Sequence, residues 1–471
     1  MVYHTIVGQK NKQDAQKASR KRGKMEEKNV YQKTVTLKNI LKFAVPTIAM
    51  SVFMSFYTMV DGLFVSNLIS TDALSAINLT APVIQLVTAV STMLATGGSA
   101  LIMKKMGEQR TGEAREDFTF LILVNVVTGL LMCGLGYLAM KPVFASMNLS
   151  ADVLRYCVEY LSRYLLFTVP ILLMNNFTLY MIASGKAALS LICSVSGGVL
   201  NMVLDYVFIA VLDWGIGGAA AATGMGYSVT ALVGLFVFSQ KKSLLHFKKP
   251  VMRLRVLKKA AANGSSEMAT ALVTGIITMM FNWTMLTYVG ENGVAAVTII
   301  TYVLMFASSL YTGYSYGVAP MISYYHGEKN HGKLKKLVAL SIKVIAVISV
   351  LTSLFSFLFT KPLVSVFTRP DNPVYGLAVS GNRICTIALF FIGFNIFASG
   401  MFTALSKGMV SAVLAFSRSF VFMLAAMLLL PALLGVPGIW LATPAAEMMA
   451  FLLSIGMMSR QGKKSCRTTF D

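Results

Sequence analysis

The sequence predicts an all-α polytopic membrane protein with twelve transmembrane helices in two six-helix lobes related by an internal repeat. Of its 471 residues, 56% are hydrophobic and only 13% are charged, whereas soluble domains carry about 25% charged residues. Twelve apolar stretches are each long enough to cross a bilayer, which takes about 20 residues. The third observation is a long pattern that occurs twice, 220 positions apart.

The repeat is carried by residues that recur at one constant offset. Gly107-Glu108 recurs as Gly327-Glu328, and Lys141-Pro142 recurs as Lys361-Pro362. The group Gly215, Gly218, Ala222 and Thr223 recurs as Gly435, Gly438, Ala442 and Thr443. Because a constant offset indicates duplication of one half-molecule, we expect the halves to pack about an axis with the substrate site between them.

The apolar stretches set the predicted spans, and the basic residues set their orientation. The spans run roughly over 40–66, 73–103, 118–140, 156–182, 187–211, 216–240, 258–289, 294–325, 335–360, 376–405, 408–431 and 437–459. Most of the 41 Lys and Arg residues lie in tails and connections on one side, whereas 70–73, 212–216, 290–293 and 432–436 hold none. By the positive-inside rule the basic side is cytoplasmic, so we expect a cell inner-membrane protein with both termini inside.

These spans divide the chain into five predicted segments. A basic cytoplasmic tail covers 1–38, and a basic cytoplasmic linker covers 241–257. The N-lobe covers 39–240, the C-lobe covers 258–460, and a cytoplasmic C-terminal tail covers 461–471. The net charge of +22 is then a topology signal and a contact with anionic membrane lipids, and we predict no nucleic-acid partner.

Neither an enzyme nor a cofactor is predicted. The five cysteines lie apart without a CxxC or Cys/His spacing, so neither a disulfide framework nor a zinc site is indicated. A membrane enzyme would need a catalytic group of residues at one membrane face, whereas the longest connection between spans is short and basic.

Two acidic residues in the predicted N-lobe spans point to ion coupling, because a charge at the bilayer centre costs ~2.5–3.5 kcal/mol on insertion scales. Asp61 follows Tyr57 by four residues, and Asp205 follows Asn201 by four, so each pair shares a helix face. Counting along the helices at 1.5 Å per residue places Asp61, Asn201, Asp205 and Thr223 at one level in the outer half of the membrane.

This group fits two kinds of ion chemistry. Carboxylate, amide and hydroxyl oxygens are ligands for a hard cation such as Na⁺. Alternatively, two carboxylates in an apolar setting oppose each other's ionisation, so that the pair holds a proton. The structural alternative is that both aspartates only form hydrogen bonds between helices. Pro46, fifteen residues before Asp61, removes a backbone hydrogen bond and predicts either a bending point or a static kink in the first helix.

The C-lobe has charged residues of its own. Glu267 lies toward the cytoplasmic end of the seventh span and is either a second coupling acid or a carboxylate at the helix end that water reaches. Arg418 and Glu447 lie at similar depths in neighbouring antiparallel spans, which predicts that they pair with each other.

At these residues the chain resembles the multidrug and toxic compound extrusion (MATE) family. Pro46, Tyr57 and Val60-Asp61 are similar to its first helix, and the run from Asn201 through Asp205 to Ile209, with Thr223, is similar to its fifth and sixth helices. The connection Gly107-Glu108-x-x-x-Gly112 fits as well, and the resemblance covers about 39–460.

The resemblance implies two six-helix lobes in a V and export of amphipathic, often cationic compounds driven by inward H⁺ or Na⁺. It implies coupling at Asp61, Asn201, Asp205 and Thr223, with Tyr57 and Pro46 supporting, as in the DinF-like branch. The acid that the NorM-like branch has in its tenth helix is missing from 384–405, and the acid of the seventh helix is present as Glu267. We expect small-molecule substrates and a monomer. The alternative is a lipid-linked oligosaccharide flippase of the same superfamily, which would favour a cationic cavity.

Overall fold

The computed structural model describes Tyr31 and residues 34–68, 71–147 and 149–467, with side chains described outside 61–75 and 461–467. Every regular element in these ranges is helical. Eleven helices there are long and apolar enough to cross a membrane, and one bent pair brings the number to twelve. The predicted fold class is therefore confirmed.

The spans are numbered α1 to α12 in chain order. The first six form the N-lobe: α1 (Leu37–Leu68), α2 (Thr71–Gly107), α3 (Thr111–Ala145), α4 (Ala151–Leu166 and Thr168–Ala183), α5 (Ala187–Asp205, continued by a π-helical segment Tyr206–Val211) and α6 (Gly215–Ser239). The other six form the C-lobe: α7 (Leu254–Tyr288), α8 (Glu291–Gly327), α9 (His331–Leu358), α10 (Pro373–Ala404), α11 (Gly408–Phe416, π-helical Ser417–Phe422, then Met423–Leu434) and α12 (Val436–Arg467). A short helix, Thr360–Ser365, follows α9.

The fourth span, predicted as one apolar stretch over 156–182, consists of two helices that meet at a bend of 52°. The break falls at Phe167, whose ring lies so close to Gly224 of α6 that a methyl group there would collide with it. Pro170 falls in the first turn after the break, where a missing N–H costs no intrahelical hydrogen bond. Packing against α6 therefore decides the shape of α4.

Pro46 does not interrupt its helix. The residues from Leu37 to Leu68 form one continuous α-helix through Pro46. Next to it, the Thr47 hydroxyl is buried and donates to the backbone oxygen of Ala44 at 2.9 Å.

The two lobes meet where small residues let helices cross closely. A methyl group added to Gly97 of α2 would collide with the Ala260 carbonyl oxygen of α7. One added to Gly317 of α8 would collide with Thr47 of α1. Gly97 and Gly317 are related by the 220-residue offset, so the repeat of the sequence appears here as a pair of equivalent crossings between the lobes.

A third close contact joins the ends of α2 and α8. A Cβ atom on Gly107 would collide with the carbonyl oxygen of Tyr324, and one on Gly327 would collide with that of Lys104. The contact is reciprocal, as expected beside a pseudo-twofold axis. We call this side of the bundle the basic face, because the Lys-rich connections after α2, α6 and α8 lie there.

The segment between the lobes is attached to the N-lobe by ion pairs. Arg253 bonds to Glu116 at 2.9 Å and to Asp117 at 3.1 Å, and Lys248 bonds to Glu116 at 2.7 Å. Asp117 is fully buried and also pairs with Lys105 of α2. A protein is strongly destabilised when a buried carboxylate loses its partners, because its charge is then uncompensated. The contact of Asp117 with Arg253 therefore holds the start of α7 against α3.

Tyr31 lies in the predicted tail 1–38, yet it is fully buried. Its hydroxyl donates to the Ala183 carbonyl at the end of α4 at 2.6 Å. Its ring stacks on Tyr324 of α8 with centroids 5.1 Å apart. Burial raises the pKa of the Tyr31 phenol above its usual range, so it stays neutral between the two lobes.

Candidate functional site

A close crossing of α5 and α6 brings the predicted N-lobe residues together. A Cβ atom on Gly197 would lie 2.5 Å from the Gly226 carbonyl oxygen, and one on Gly226 would lie 2.9 Å from Cβ of Asn201. Only glycine at both positions lets the two backbones come this close. The crossing therefore presses Asn201 against α6.

Asn201, Asp205 and Thr223 are buried at this crossing. The Asn201 Nδ2 group donates to the Thr223 hydroxyl at 3.4 Å, and that hydroxyl donates to the Ala219 backbone oxygen at 3.0 Å. Asp205 has no solvent exposure and Asn201 has 1%. The Oδ1 atom of Asn201 accepts no hydrogen bond from the described residues, so an oxygen remains available for a ligand.

The backbone changes its hydrogen-bond pattern directly after Asp205. A π-helical segment, Tyr206–Val211, continues α5. Such segments insert an extra residue into a turn and occur frequently at functional sites. Residues 206–211 carry no sequence feature that predicts a π-helix.

On α1, Tyr57 packs against the same part of α5. Tyr57 is 3% exposed, and its Cδ2 atom would lie 3.6 Å from a Cβ atom on Gly198. Asp61 follows one helical turn later in α1, in the stretch whose side chains lie outside the described part. The structure therefore brings Asn201 and Thr223 into contact, places Tyr57 beside α5, and gives no position for the Asp61 carboxylate.

A central cavity lies between the lobes, next to this cluster. Its wider part is lined by residues of α1, α2, α4, α5 and α8, among them Met50, Met54, Thr92, Asn175, Ser194 and Met305. Ser194, Asn201 and Asp205 are spaced by seven and four residues and therefore lie along one face of α5. One helix face thus runs from the cavity into the buried cluster.

Glu267 lies at the narrower end of the cavity. This part is lined from both lobes, by Thr96 and Ser99 of α2 and by Thr312, Ser315 and Tyr316 of α8. The Glu267 carboxylate has no hydrogen bond or ion pair with any residue that the structure describes. No Lys or Arg is among the described residues that line either part of the cavity.

The predicted pairing of Arg418 with Glu447 is confirmed. The Arg418 Nε atom lies 2.8 Å from Glu447 Oε1 and 3.0 Å from Oε2. Asn395 of α10 donates to Glu447 Oε2 at 2.8 Å, and Ser454 donates to Asn395 Oδ1 at 3.2 Å. Asn395 and Ser454 were not among the residues predicted from the sequence, since an amide or a hydroxyl within a span gives no signal as strong as a charge.

Within the described residues there is no group of three His, Cys, Asp or Glu side chains that could hold a metal ion. A cation bound in the N-lobe would use the mixed amide, hydroxyl and carboxylate oxygens described above.

Comparisons with known proteins agree with this architecture. The sequence model of the MatE family matches residues 46–207 and 267–428, one segment in each half of the chain. The chain is 24% identical over 427 residues to the multidrug export protein MepA of Staphylococcus haemolyticus (strain JCSC1435), over 90% of this chain and 93% of that protein. It is 21% identical to MepA of Staphylococcus aureus (strain MRSA252), over 90% of this chain and 94% of that protein.

Two solved structures have the same fold. A MATE protein in complex with MaL6 has a TM-score of 0.87 and 25% identity, covering 93% of this chain and 99% of that one. An outward-facing multidrug resistance MATE family transporter of the MOP superfamily has a TM-score of 0.84 and 24% identity, covering 90% of this chain and 96% of that one.

Proposed function

Because the chain belongs to the MATE family of membrane transporters, we propose that it is a secondary active multidrug efflux antiporter. It exports amphipathic, often cationic organic compounds in exchange for H⁺ or Na⁺. The observation that carries the proposal is the buried cluster of Asn201 and Asp205 on α5 with Thr223 on α6, since the same face of α5 also reaches the central cavity. The relatives named multidrug export proteins support the same function.

In the proposed mechanism, the coupling ion binds at Asp61, Asn201, Asp205 and Thr223. A proton or Na⁺ there neutralises carboxylate charge that is otherwise buried, and so it stabilises the conformation in which the cluster is most enclosed. Tyr57 carries the change to α1. Pro46 is the point at which α1 bends, since its helix lacks one backbone hydrogen bond there.

Glu267 is a second candidate acid. It lies at the narrow end of the cavity between the lobes, where a cationic substrate and a coupling ion would compete for its carboxylate. The N-lobe cluster and the lack of an acid in α10 support our proposal that the coupling resembles that of the DinF-like branch.

The flippase alternative is disfavoured by the lining of the cavity. A transporter of anionic lipid-linked phosphates needs cationic side chains at the substrate, and the described lining of the central cavity has hydroxyls, methionines and one carboxylate instead. No catalytic role is assigned to any residue.

The proposed setting is the cytoplasmic membrane, with the basic face inside. The segments 1–38, 241–257 and 461–471 then lie in the cytoplasm, and 39–240 and 258–460 form the lobes. The protein works as a monomer, since one chain contains both lobes and the cavity between them.

Efflux from proteoliposomes tests the function and the coupling ion together. The purified chain is reconstituted, and accumulation of a fluorescent organic cation is followed under an imposed Na⁺ gradient and, separately, under an imposed pH gradient. We expect transport under one of the two gradients and none without a gradient. Transport under neither gradient would contradict the proposal.

A further inference from the structure

A second cavity lies within the C-lobe and shares no lining residue with the central cavity. Its lining includes Phe281 and Thr443. These are the repeat counterparts of Asp61 and Thr223 at the offset of 220. This cavity is therefore the C-lobe equivalent of the coupling cluster, and it differs in chemistry because no acid replaces Asp61.

The charged group that lines this cavity is the Arg418 and Glu447 pair. Glu447 is held in place from two sides, because Asn395 donates both to its carboxylate at 2.8 Å and to its backbone oxygen at 2.9 Å. Its side chain is 7% exposed, whereas that of Arg418 is 21% exposed. Glu447 is thus a fixed anchor that positions the guanidinium at the cavity wall.

Only one part of the Arg418 guanidinium is used in this contact. The Nε atom reaches both carboxylate oxygens of Glu447, and neither terminal nitrogen has a hydrogen bond to a described residue. A guanidinium can bind two carboxylates on different edges, because its five N–H groups are arranged in a rigid plane. The edge formed by the two terminal nitrogens remains available for a second, bidentate anion.

The α7 part of the cavity lining presents hydrogen-bond acceptors instead of donors. Thr270, Thr274 and Thr278 are spaced by four residues on α7 and line the cavity. Each hydroxyl donates to the backbone oxygen one turn earlier, at 3.0, 2.8 and 3.0 Å respectively. With their protons used in this way, these oxygens present acceptor lone pairs, which suit an ammonium or another N–H group.

We propose that this C-lobe cavity is a substrate subsite for zwitterionic amphipathic compounds, with the substrate carboxylate on the free edge of Arg418 and its protonated nitrogen toward the threonines. The proposal rests on the proposed efflux function and deepens it. It makes Arg418 the residue that decides whether a compound with a carboxylate is accepted, and it gives Glu447 a positioning role.

A matched pair of dyes separates this subsite from efflux in general. Rhodamine 110 is a zwitterion, and rhodamine 123 is its methyl ester and a cation, so the pair differs only in the carboxylate. Binding of each dye to the purified full-length protein is measured by fluorescence polarisation, and efflux of each is measured in proteoliposomes. Arg418→Lys keeps a charge for Glu447 but lacks the second edge.

We expect Arg418→Lys to weaken rhodamine 110 binding about tenfold, the loss of one bidentate contact, while rhodamine 123 binding stays within about twofold of wild type. Glu447→Gln loosens the positioning of the Arg418 guanidinium, so we expect it to weaken rhodamine 110 binding by less than Arg418→Lys does and to leave rhodamine 123 binding unchanged. Arg383→Lys is the control, because Arg383 is an exposed arginine of α10 outside this cavity.

An Arg418→Lys protein that binds both dyes as the wild type does would overturn the subsite. So would an equal loss for both dyes in a variant that elutes as the folded monomer. If the wild type exports neither dye under any gradient, the efflux proposal itself fails, which is a different result. Should Glu447→Gln not fold, Arg418→Lys alone still decides the question.

Discussion

At the scale of single residues, the two lobes use opposite chemistry at equivalent places. In the N-lobe, Asn201, Asp205 and Thr223 present oxygen atoms at a tight helix crossing. In the C-lobe, an arginine held by Glu447 borders the equivalent cavity. The coupling cation that we propose would therefore bind in the first lobe, whereas in the second lobe Arg418 itself supplies the positive charge next to Glu447.

We expect Asp61→Asn and Asp205→Asn each to reduce drug efflux to the level of cells without the transporter, since an amide neither binds a proton nor carries charge. Efflux of a fluorescent cation from cells is the measurement, with the amount of protein in the membrane checked by immunoblot. Asp152→Asn is the matched control, because Asp152 is exposed at the start of α4. Unchanged efflux in both variants would refute the coupling role.

At the scale of elements, helix crossings at glycine decide how the lobes meet. Gly97 and Gly317 sit at equivalent inter-lobe crossings, and Gly107 and Gly327 face each other's helices on the basic face. Apolar side chains gain little from helix association in lipid, so close backbone packing and small residues carry much of the stability. Because these glycines are related by the 220-residue repeat, the contacts occur in the same order along α2 and along α8.

Gly97→Val is expected to destabilise the protein by about 1–3 kcal/mol, the usual cost of overpacking a tight contact, or more because the blocking atom belongs to the backbone. The midpoint of thermal unfolding in detergent, followed by fluorescence-detected size exclusion, should fall. Gly134→Val on α3 is the control, because nothing lies within 4 Å of a Cβ atom there. Equal midpoints for the two variants would contradict the importance of this crossing.

At the scale of the whole molecule, the basic connections and the lobe contacts lie on one face. Tyr31, the attachment of Arg253 to Asp117, and the reciprocal contact of Gly107 with Gly327 all join parts of the protein there. Tyr31 and the linker between the lobes therefore help to hold the helices together on that face.

The orientation of this face can be tested with single cysteines in a cysteine-free background. Lys241→Cys follows α6 on the basic face, and Asp371→Cys lies in the exposed connection before α10 on the opposite face. In intact cells, a membrane-impermeant maleimide should label only Asp371→Cys, and both should be labelled after permeabilisation. Labelling of Lys241→Cys in intact cells would reverse the assigned orientation.

Much of the fold could be predicted because it depends on local and periodic signals. Apolar length defined the spans, and the repeat defined two equivalent lobes. The bend of α4 at Phe167 could not be predicted, because it depends on the fit of one ring against Gly224 of another helix. The π-helical segments after Asp205 and at Arg418 also escaped prediction, since they contain ordinary apolar and polar residues.

Part of the candidate site could also be predicted from the sequence. Charges inside spans are rare enough to mark Asp205, Glu267, Arg418 and Glu447 directly. Asn395 and Ser454 went unnoticed, because amides and hydroxyls are common in spans and only their partners give them a role. The position of Glu267 at a cavity between the lobes likewise depends on residues from both halves.

The sequence by itself determined the membrane-spanning class, the twelve spans and the duplicated architecture, because each depends on hydropathy or on spacing along the chain. Only the tertiary structure decided which neutral side chains find their partners: Asn201 with Thr223, Asn395 with Glu447, and Tyr31 with Ala183 and Tyr324. The physical reason is that such contacts depend on the rotation and separation of packed helices, which small residues such as Gly197 and Gly226 set through contacts distant in the chain.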